Sequence, residues 1–300
     1  MKKYHSHGKL LISGEYLVLK GALALAVPCN RGQSLIYDSS KEKELLWESY
    51  DEKGSVWFKA TFSIKDFDII TTDQTDIAKR LRSVLKEVRK QNSAFLLRKG
   101  GRVKTVLEFD RQWGLGTSST LISNIAQWSN TNPYELLKQT FGGSGYDIAC
   151  AQAKSPLLFS NKNQTPKAQS CEFNPSFKEQ LFFVYLNQKK DSSEAVKRFS
   201  DITITKKQLD IFSDLSLKIL KSNELKKFEK LIETHETQLG KILSIKPVKE
   251  VLFPDYSGSI KSLGAWGGDF ILVTGNGNTN SYFKNKGYKT VLKYSEMVIA

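Results

Sequence analysis

The run Trp113-Gly114-Leu115-Gly116-Thr117-Ser118-Ser119-Thr120 leads straight into Leu121-Ile122-Ser123-Asn124-Ile125-Ala126-Gln127-Trp128. Ahead of it, Arg102-Val103-Lys104-Thr105-Val106-Leu107-Glu108-Phe109 alternates polar with apolar side chains and is rich in β-branched residues, the pattern of a half-buried strand. A helix follows. A strand that feeds a helix through two glycines and three hydroxyls presents unpaired backbone N–H groups at the positive end of the helix dipole, a place to hold phosphate. Glycine at 114 and 116 admits dihedrals closed to other residues and leaves no Cβ between the amides and an anion. The hydroxyls of Thr117, Ser118 and Ser119 can cap the helix, touch phosphate or reach a metal bound to it. A tight turn with Thr117 or Ser118 as an ordinary N-cap is the competing reading of the same residues. The spacing is neither a Walker A loop, which ends in Gly-Lys-Ser/Thr, nor a Rossmann fingerprint, which needs a third glycine.

The 300 residues are 40% hydrophobic and 25% charged, enough for a sizeable core in one large or two modest domains. A formal charge of +14 favours polyanions in general. The lysines are scattered, however, and no arginine-rich arm, RNA-binding aromatic motif or zinc-finger spacing marks a nucleic-acid binder. Cys29, Cys150 and Cys171 are too few and too far apart for a disulfide framework or a Cys-x-x-Cys metal site, which fits a reduced, cytoplasmic setting. Lys2-Lys3 and the apolar run ending Ala22-Leu23-Ala24-Leu25-Ala26 imitate a secretory signal, but His7, Lys9, Glu15 and Lys20 interrupt it. No uninterrupted apolar run approaches membrane-spanning length.

Along the chain, Lys9 to Ser13, Tyr16 to Leu19 and Leu23 to Val27 are short apolar runs punctuated by Gly14-Glu15 and Lys20-Gly21, as in β-hairpins. Strands continue through Gln33 to Tyr37, Glu44 to Glu48 and Val56 to Ala60. A helix from Thr75 or Asp76 places Ile77, Leu81, Val84, Leu85 and Val88 on one face. Asn132-Pro133-Tyr134-Glu135 is a helix start with Asn at the cap and Pro at the first helical position. Residues 155–175 read as loops and edge strands, and Gln180 to Leu186 as an apolar strand. Helices follow at Lys206 to Lys221 and Glu224 to Lys241, the latter capped near Gly240, with His235 read as a surface histidine. The chain closes with the strand Ile271 to Thr274, a helix at Thr279 to Lys286 stopped by Gly287, and the strand Tyr288 to Tyr294.

Four glycine turns carry a resemblance. Gly114-Leu115-Gly116-Thr117-Ser118-Ser119 resembles the Gly-Leu-Gly-Ser-Ser-Ala phosphate loop of the GHMP kinases, the superfamily of galactokinase, homoserine kinase, mevalonate kinase and phosphomevalonate kinase. Gly8-Lys9-Leu10-Leu11-Ile12-Ser13-Gly14-Glu15-Tyr16 is similar to the first superfamily motif, and its Gly-Glu-Tyr form is closer to phosphomevalonate kinases. Gly142-Gly143-Ser144-Gly145-Tyr146-Asp147-Ile148-Ala149 resembles their Gly-Ser-Gly-x-Asp-x-Ala segment. Ser262-Leu263-Gly264-Ala265-Trp266-Gly267-Gly268-Asp269 is similar to the third motif, with Leu263 displaced and Trp266 standing where a glycine is usual.

The resemblance implies an α+β, two-domain GHMP kinase fold. An N-terminal S5-like α/β domain, residues 1–175, would bind ATP, and residues 176–300 would form a ferredoxin-like α+β sandwich, with ATP and Mg2+ in the cleft between them. Gly114, Leu115, Gly116, Thr117, Ser118 and Ser119 would hold the triphosphate, with Ser118 the metal ligand. Asp147 would face the acceptor hydroxyl, whose proton a carboxylate can take or orient. Lys9 would neutralise developing charge. Glu15, Tyr16, Ser144, Gly264, Ala265 and Gly267 would shape the acceptor site. The position of a magnesium-binding glutamate in mevalonate kinases falls near Leu137, so Glu135 reads as a capping residue. The implied activity is γ-phosphoryl transfer to a mevalonate-type metabolite, phosphomevalonate or mevalonate. A sugar kinase, a diphosphomevalonate decarboxylase and a non-catalytic metabolite sensor are the alternatives. The implied partner is a small-molecule phosphoryl acceptor, with a homodimer compatible and no nucleic acid or membrane.

Overall fold

The computed structural model describes residues 1–190 and 192–299, which group into two compact units. One comprises Met1–Gly8, Arg31–Arg111 and Gly116–Gln152; the other comprises Lys9–Asn30, Gln112–Leu115 and the chain from Ala153 onward. Strands β1 (Lys2–Ser13) and β2 (Ala24–Ser39) each contribute residues to both units.

In the first unit β2 is joined by β3 (Glu44–Tyr50), β4 (Val56–Ser63), β5 (Ile69–Thr72) and β6 (Gly101–Leu107) in the order β5-β4-β3-β6-β2. β6 runs antiparallel to β2, with Gln33 opposite Leu107 and Ser39 opposite Gly101, and parallel to β3. Period-two alternation sends Val103 and Leu107 inward, and helix α1 (Thr75–Gln91) lays Ala78, Leu81, Val84, Leu85 and Val88 on the same core as Trp47, Phe58 and Phe62. Helices α2 (Thr117–Ser129), α3 (Pro133–Thr140) and α4 (Tyr146–Gln152) follow, and α2 packs against both α3 and α4. Asn132 caps α3 as its sequence predicts, accepting the N–H groups of Tyr134 and Glu135.

In the second unit β7 (Leu157–Ser160) pairs antiparallel with the opening of β2, Ala24 opposite Phe159, and with β8 (Lys167–Ser170). A separate antiparallel sheet has the order β10-β11-β9-β12, from β9 (Leu181–Tyr185), β10 (Ile260–Ser262), β11 (Phe270–Thr274) and β12 (Val291–Lys293). Every residue of β9 and β11 is buried, which is why both read as unbroken apolar runs. Around them lie α5 (Ser192–Ser200), α6 (Lys206–Leu220), α7 (Leu225–Leu243), α8 (Val248–Leu252), α9 (Thr279–Asn285) and α10 (Tyr294–Met297). The α+β class implied by the sequence is the observed one, with one large and one smaller sheet. Among the described residues no helix is long and apolar enough to cross a membrane.

Four local expectations are corrected. Tyr16 to Leu19 is not a strand: Gly14 and Tyr16 both take positive φ, and the chain turns into a short 3-10 helix at Leu17–Lys20. His235 is fully buried. The last strand shortens to Val291–Lys293, and the chain enters α10 at Tyr294, with α5 and α8 unforeseen. Helix α7 does not stop at Gly240 but continues to Leu243, where Ser244 supplies the left-handed cap.

Gly240 is inside the helix for a packing reason. A Cβ there would sit 2.7 Å from the Ile245 carbonyl oxygen and 3.4 Å from the Trp266 ring. Exchanging an interior helical glycine for alanine ordinarily gains about 1 kcal/mol. Gly240→Ala should instead destabilise the protein, by about 1 kcal/mol or more, read as a lower urea midpoint.

Candidate functional site

Gly114 and Gly116 both have positive φ, +65° and +93°, so the turn needs glycine on conformational grounds alone. Gly116 is the N-cap of α2 and provides no side-chain hydrogen bond to its first turn. The hydroxyl of Ser119 is buried and donates to the Gly116 carbonyl at 2.9 Å. Thr120 donates to Gln33 Oε1 at 2.8 Å, and Asn124 Nδ2 donates to the Gln33 carbonyl at 2.8 Å. Ser119 and Thr120 therefore fasten the helix start from inside, while Ser118 stays exposed and Thr117 half-buried. The expectation that Thr117 or Ser118 serves as N-cap is not met. An uncapped, glycine-started helix keeps its first N–H groups and its dipole for an anion.

In the second unit the Lys9 N–H donates to the Leu115 carbonyl at 3.0 Å, which sets β1 beside the Gly114-Leu115 turn. Lys9, Trp113, Gly114, Gly264 and Asp269 line one small pocket there. Asp269, only 7% exposed, takes a left-handed φ of +53°. Its carboxylate lies against Gly114 so closely that a Cβ on that glycine would fall 2.7 Å from Oδ1. Burial pushes the Asp269 carboxyl up from its ordinary range, and the ammonium of Lys9 opposes the shift first, followed by the Lys190 N–H bond and the charges of Lys189 and Lys190.

A second polar group ties the first and third motifs together within this unit. Glu15, Lys261 and His235 are all fully buried, and Lys261 Nζ donates to Glu15 Oε1. His235 Nε2 lies 3.3 Å from Glu15 Oε2 and accepts the Gly14 N–H at 3.0 Å. That acceptance requires a neutral imidazole, and burial with the adjacent Lys261 charge does hold the His235 pKa well below its usual value. Glu236 accepts the Ser262 N–H at 3.1 Å and the Ser262 hydroxyl at 2.6 Å. Burial pushes its carboxyl up to about 7, against Lys261 and the Ser262 bonds. Burial also raises the Glu15 carboxyl, with Lys261 opposing.

The remaining expected site residues are distributed as follows. Asp147 stands in the first turn of α4, whose packing on α2 puts it in the same unit as the helix start. Its charge is felt by the Tyr134 hydroxyl. Ser144 is buried and accepts the Tyr146 N–H at 3.4 Å. Glu135 is exposed at the start of α3, and Leu137 is buried. In the second unit Tyr16 Oη accepts the Trp266 N–H at 3.1 Å. The Trp266 side chain packs into a core of Leu17, Phe199, Phe212 and Leu239. Gly264 and Gly267 have φ of +65° and +83°, with Ala265 buried between.

The sequence reading missed Asp269 as a site residue, although it closes the third motif, and missed Lys261, His235, Glu236 and Lys190. Asp269 was recoverable from its place after two glycines; the others carry no local signal.

No protein-family model and no curated protein matches the sequence. The structure does have likenesses. It superposes on Methanococcus jannaschii mevalonate kinase with a TM-score of 0.68 at 16% identity, covering 95% of this chain and 94% of that one. Against Streptococcus pneumoniae phosphomevalonate kinase in complex with phosphomevalonate and AMPPNP, the TM-score is 0.67 at 17% identity over 98% and 100% of the two chains. Against Lactococcus lactis galactokinase complexed with galactose, it is 0.68 at 13% identity over 100% and 95%. The fold implied by the glycine turns is thus the fold of these kinases.

The buried carboxyl of Glu236 has a consequence for pH. A carboxyl whose folded pKa lies above its unfolded value binds its proton more tightly when folded. Its contribution is therefore fully present below about pH 4.5 and is lost as pH rises through about 7. Glu236→Gln should remove that loss, so the Tm of the variant relative to the parent should rise between pH 4.5 and 7 and level off above. Parallel Tm profiles for the two proteins would show that Glu236 does not titrate in this window.

Proposed function

We propose that this protein is an ATP-dependent kinase that transfers the γ-phosphoryl group to a hydroxyl or phosphate of a small metabolite, with mevalonate-type acceptors of isoprenoid biosynthesis first in order. The observation that carries the reading is the uncapped start of α2, continuous with a Gly114-Leu115 turn that β1 hydrogen-bonds at Lys9. The shared fold of acceptor-phosphorylating kinases supports it.

In this account the backbone N–H groups of Gly114 to Ser118 hold the β- and γ-phosphates. The Lys9 ammonium meets the negative charge that grows on the transferred group. Asp147 accepts the proton of the acceptor hydroxyl as its oxygen bonds to the γ-phosphorus and the bond to ADP breaks. Ser144 and the Gly264 to Gly267 turn shape the acceptor site. Glu15, buried and engaged by Lys261, supports that site by fixing the turn after β1, and Tyr16 holds the third motif through Trp266. Among the described residues no group of three or more His, Cys, Asp or Glu side chains could hold a metal. A magnesium ion, which keeps several waters and binds through few protein ligands, fits such a site through the exposed Ser118 hydroxyl and phosphate oxygens. When bound, it supplies charge neutralisation to the phosphates. Trp266, with its ring in the core, leaves the acceptor side of the third motif to Gly264 and Gly267.

An ATP-consumption screen with mevalonate, phosphomevalonate, diphosphomevalonate and simple sugars, with carbon dioxide followed in parallel, tests the proposal. Turnover with a mevalonate-type acceptor and no carbon dioxide is expected. With that acceptor, Asp147→Asn should lower kcat by about 100- to 10,000-fold and leave the ATP Kd nearly unchanged. Absence of turnover with every acceptor, or parental kcat in the variant, contradicts the assignment.

A further inference from the structure

Within the second unit a lysine outside all of the glycine motifs is drawn to the same place. Gly267 and Gly268 make a bed for the Lys190 side chain. A Cβ on Gly268 would collide with Lys190 Cγ and lie 2.8 Å from the Gln188 carbonyl oxygen. A Cβ on Gly267 would lie 3.6 Å from Lys190 Cε and 3.9 Å from its Nζ. The Gly267-Gly268 pair of the third motif thus has a physical reason: it admits an aliphatic stem and brings an ammonium over the turn.

Asp269 fixes this segment from three directions. Its carboxylate accepts the Lys190 N–H at 3.2 Å, its own N–H donates to the Gln188 carbonyl at 2.7 Å, and its carbonyl accepts the Leu186 N–H at 2.8 Å. The same carboxylate rests on Gly114 and comes within 4.0 Å of where a Cβ on Gly264 would stand. Lys9, Lys189 and Lys190 all act on it electrostatically. A lone buried carboxylate at the foot of an anion-binding turn would repel phosphate. Three ammonium groups around it reverse the sign of the local charge.

Resting on the kinase reading, we propose that Lys190 is a further phosphate-binding cation of the site and that Asp269 is the positioning residue that holds it at the Gly114 turn. Lysine is a point charge on a flexible stem, so an anchored counterion and a glycine bed restore the placement that the side chain lacks by itself. The Asp269 carboxylate holds the Lys190 backbone through its N–H and the glycine bed holds the stem, so the ammonium stands over the turn without having to be recruited from solvent when a triphosphate occupies the loop.

The test uses AMPPNP and adenosine as probes, with Kd measured by calorimetry for the full chain. Lys190→Gln should weaken AMPPNP by about 10- to 100-fold, the range for loss of a charged hydrogen bond. Adenosine, which has no phosphate, should bind as in the parent, and Tm should be unchanged. Lys190→Arg should recover most of the AMPPNP affinity. If Asp269 acts by holding Lys190, Asp269→Asn should weaken AMPPNP in the parent but add nothing in the Lys190→Gln background. Equal AMPPNP affinity in Lys190→Gln and parent overturns the role of Lys190 while leaving the kinase reading intact. Loss of AMPPNP and adenosine together, with a lower Tm, makes Lys190 structural and overturns it too. Fully additive losses overturn the role of Asp269. A parent that binds no AMPPNP overturns the kinase reading itself.

Discussion

The second unit depends on an ion pair taken entirely out of water: the Lys261 ammonium on the Glu15 carboxylate. Such a pair gains little over apolar packing, but removing one partner leaves a buried charge uncompensated, at a cost of about 3 to 5 kcal/mol. Its value is geometric. Glu15 closes the turn after β1, and Lys261 lies in β10 just ahead of the third glycine turn, so the pair sets one turn against the other. His235 and Glu236, adjacent on α7, finish the arrangement by accepting backbone N–H groups from each side, Gly14 and Ser262. Two turns that must present backbone at fixed positions are thereby fastened to a helix.

The glycines of these turns do different things. Gly116 frees the start of α2 from a side-chain cap, and Gly114 makes room for the Asp269 carboxylate. Gly268 makes room for the Lys190 stem, whereas Gly240, in mid-helix, makes room for the Ile245 carbonyl oxygen, with the Trp266 ring in contact beside it.

Much of this was legible in the sequence. Alternation located β6, apolar spacing located the buried face of α1, and Asn132-Pro133 located the start of α3, because each signal is local and the structure uses it locally. The glycine turns were legible for the same reason. What escaped was non-local. His235 looks like a surface residue on a lysine-rich helix, and nothing in its neighbourhood announces a backbone N–H more than 200 residues away that needs an acceptor. The helix end at Gly240 was misplaced because a glycine chosen for packing looks the same as one chosen for a cap. Lys190 follows a buried strand in a polar stretch, and only the glycine bed reveals its purpose.

The central claim is that the glycine turn at 113–119 holds the phosphates of a nucleotide. Hydrogen exchange of backbone amides, with and without AMPPNP, addresses it directly, because an amide bonded to phosphate exchanges only when the contact opens. The account predicts slowed exchange at this turn with AMPPNP and Mg2+, absent when adenosine is added instead. Unchanged exchange at 113–119 in a protein saturated with AMPPNP would contradict it.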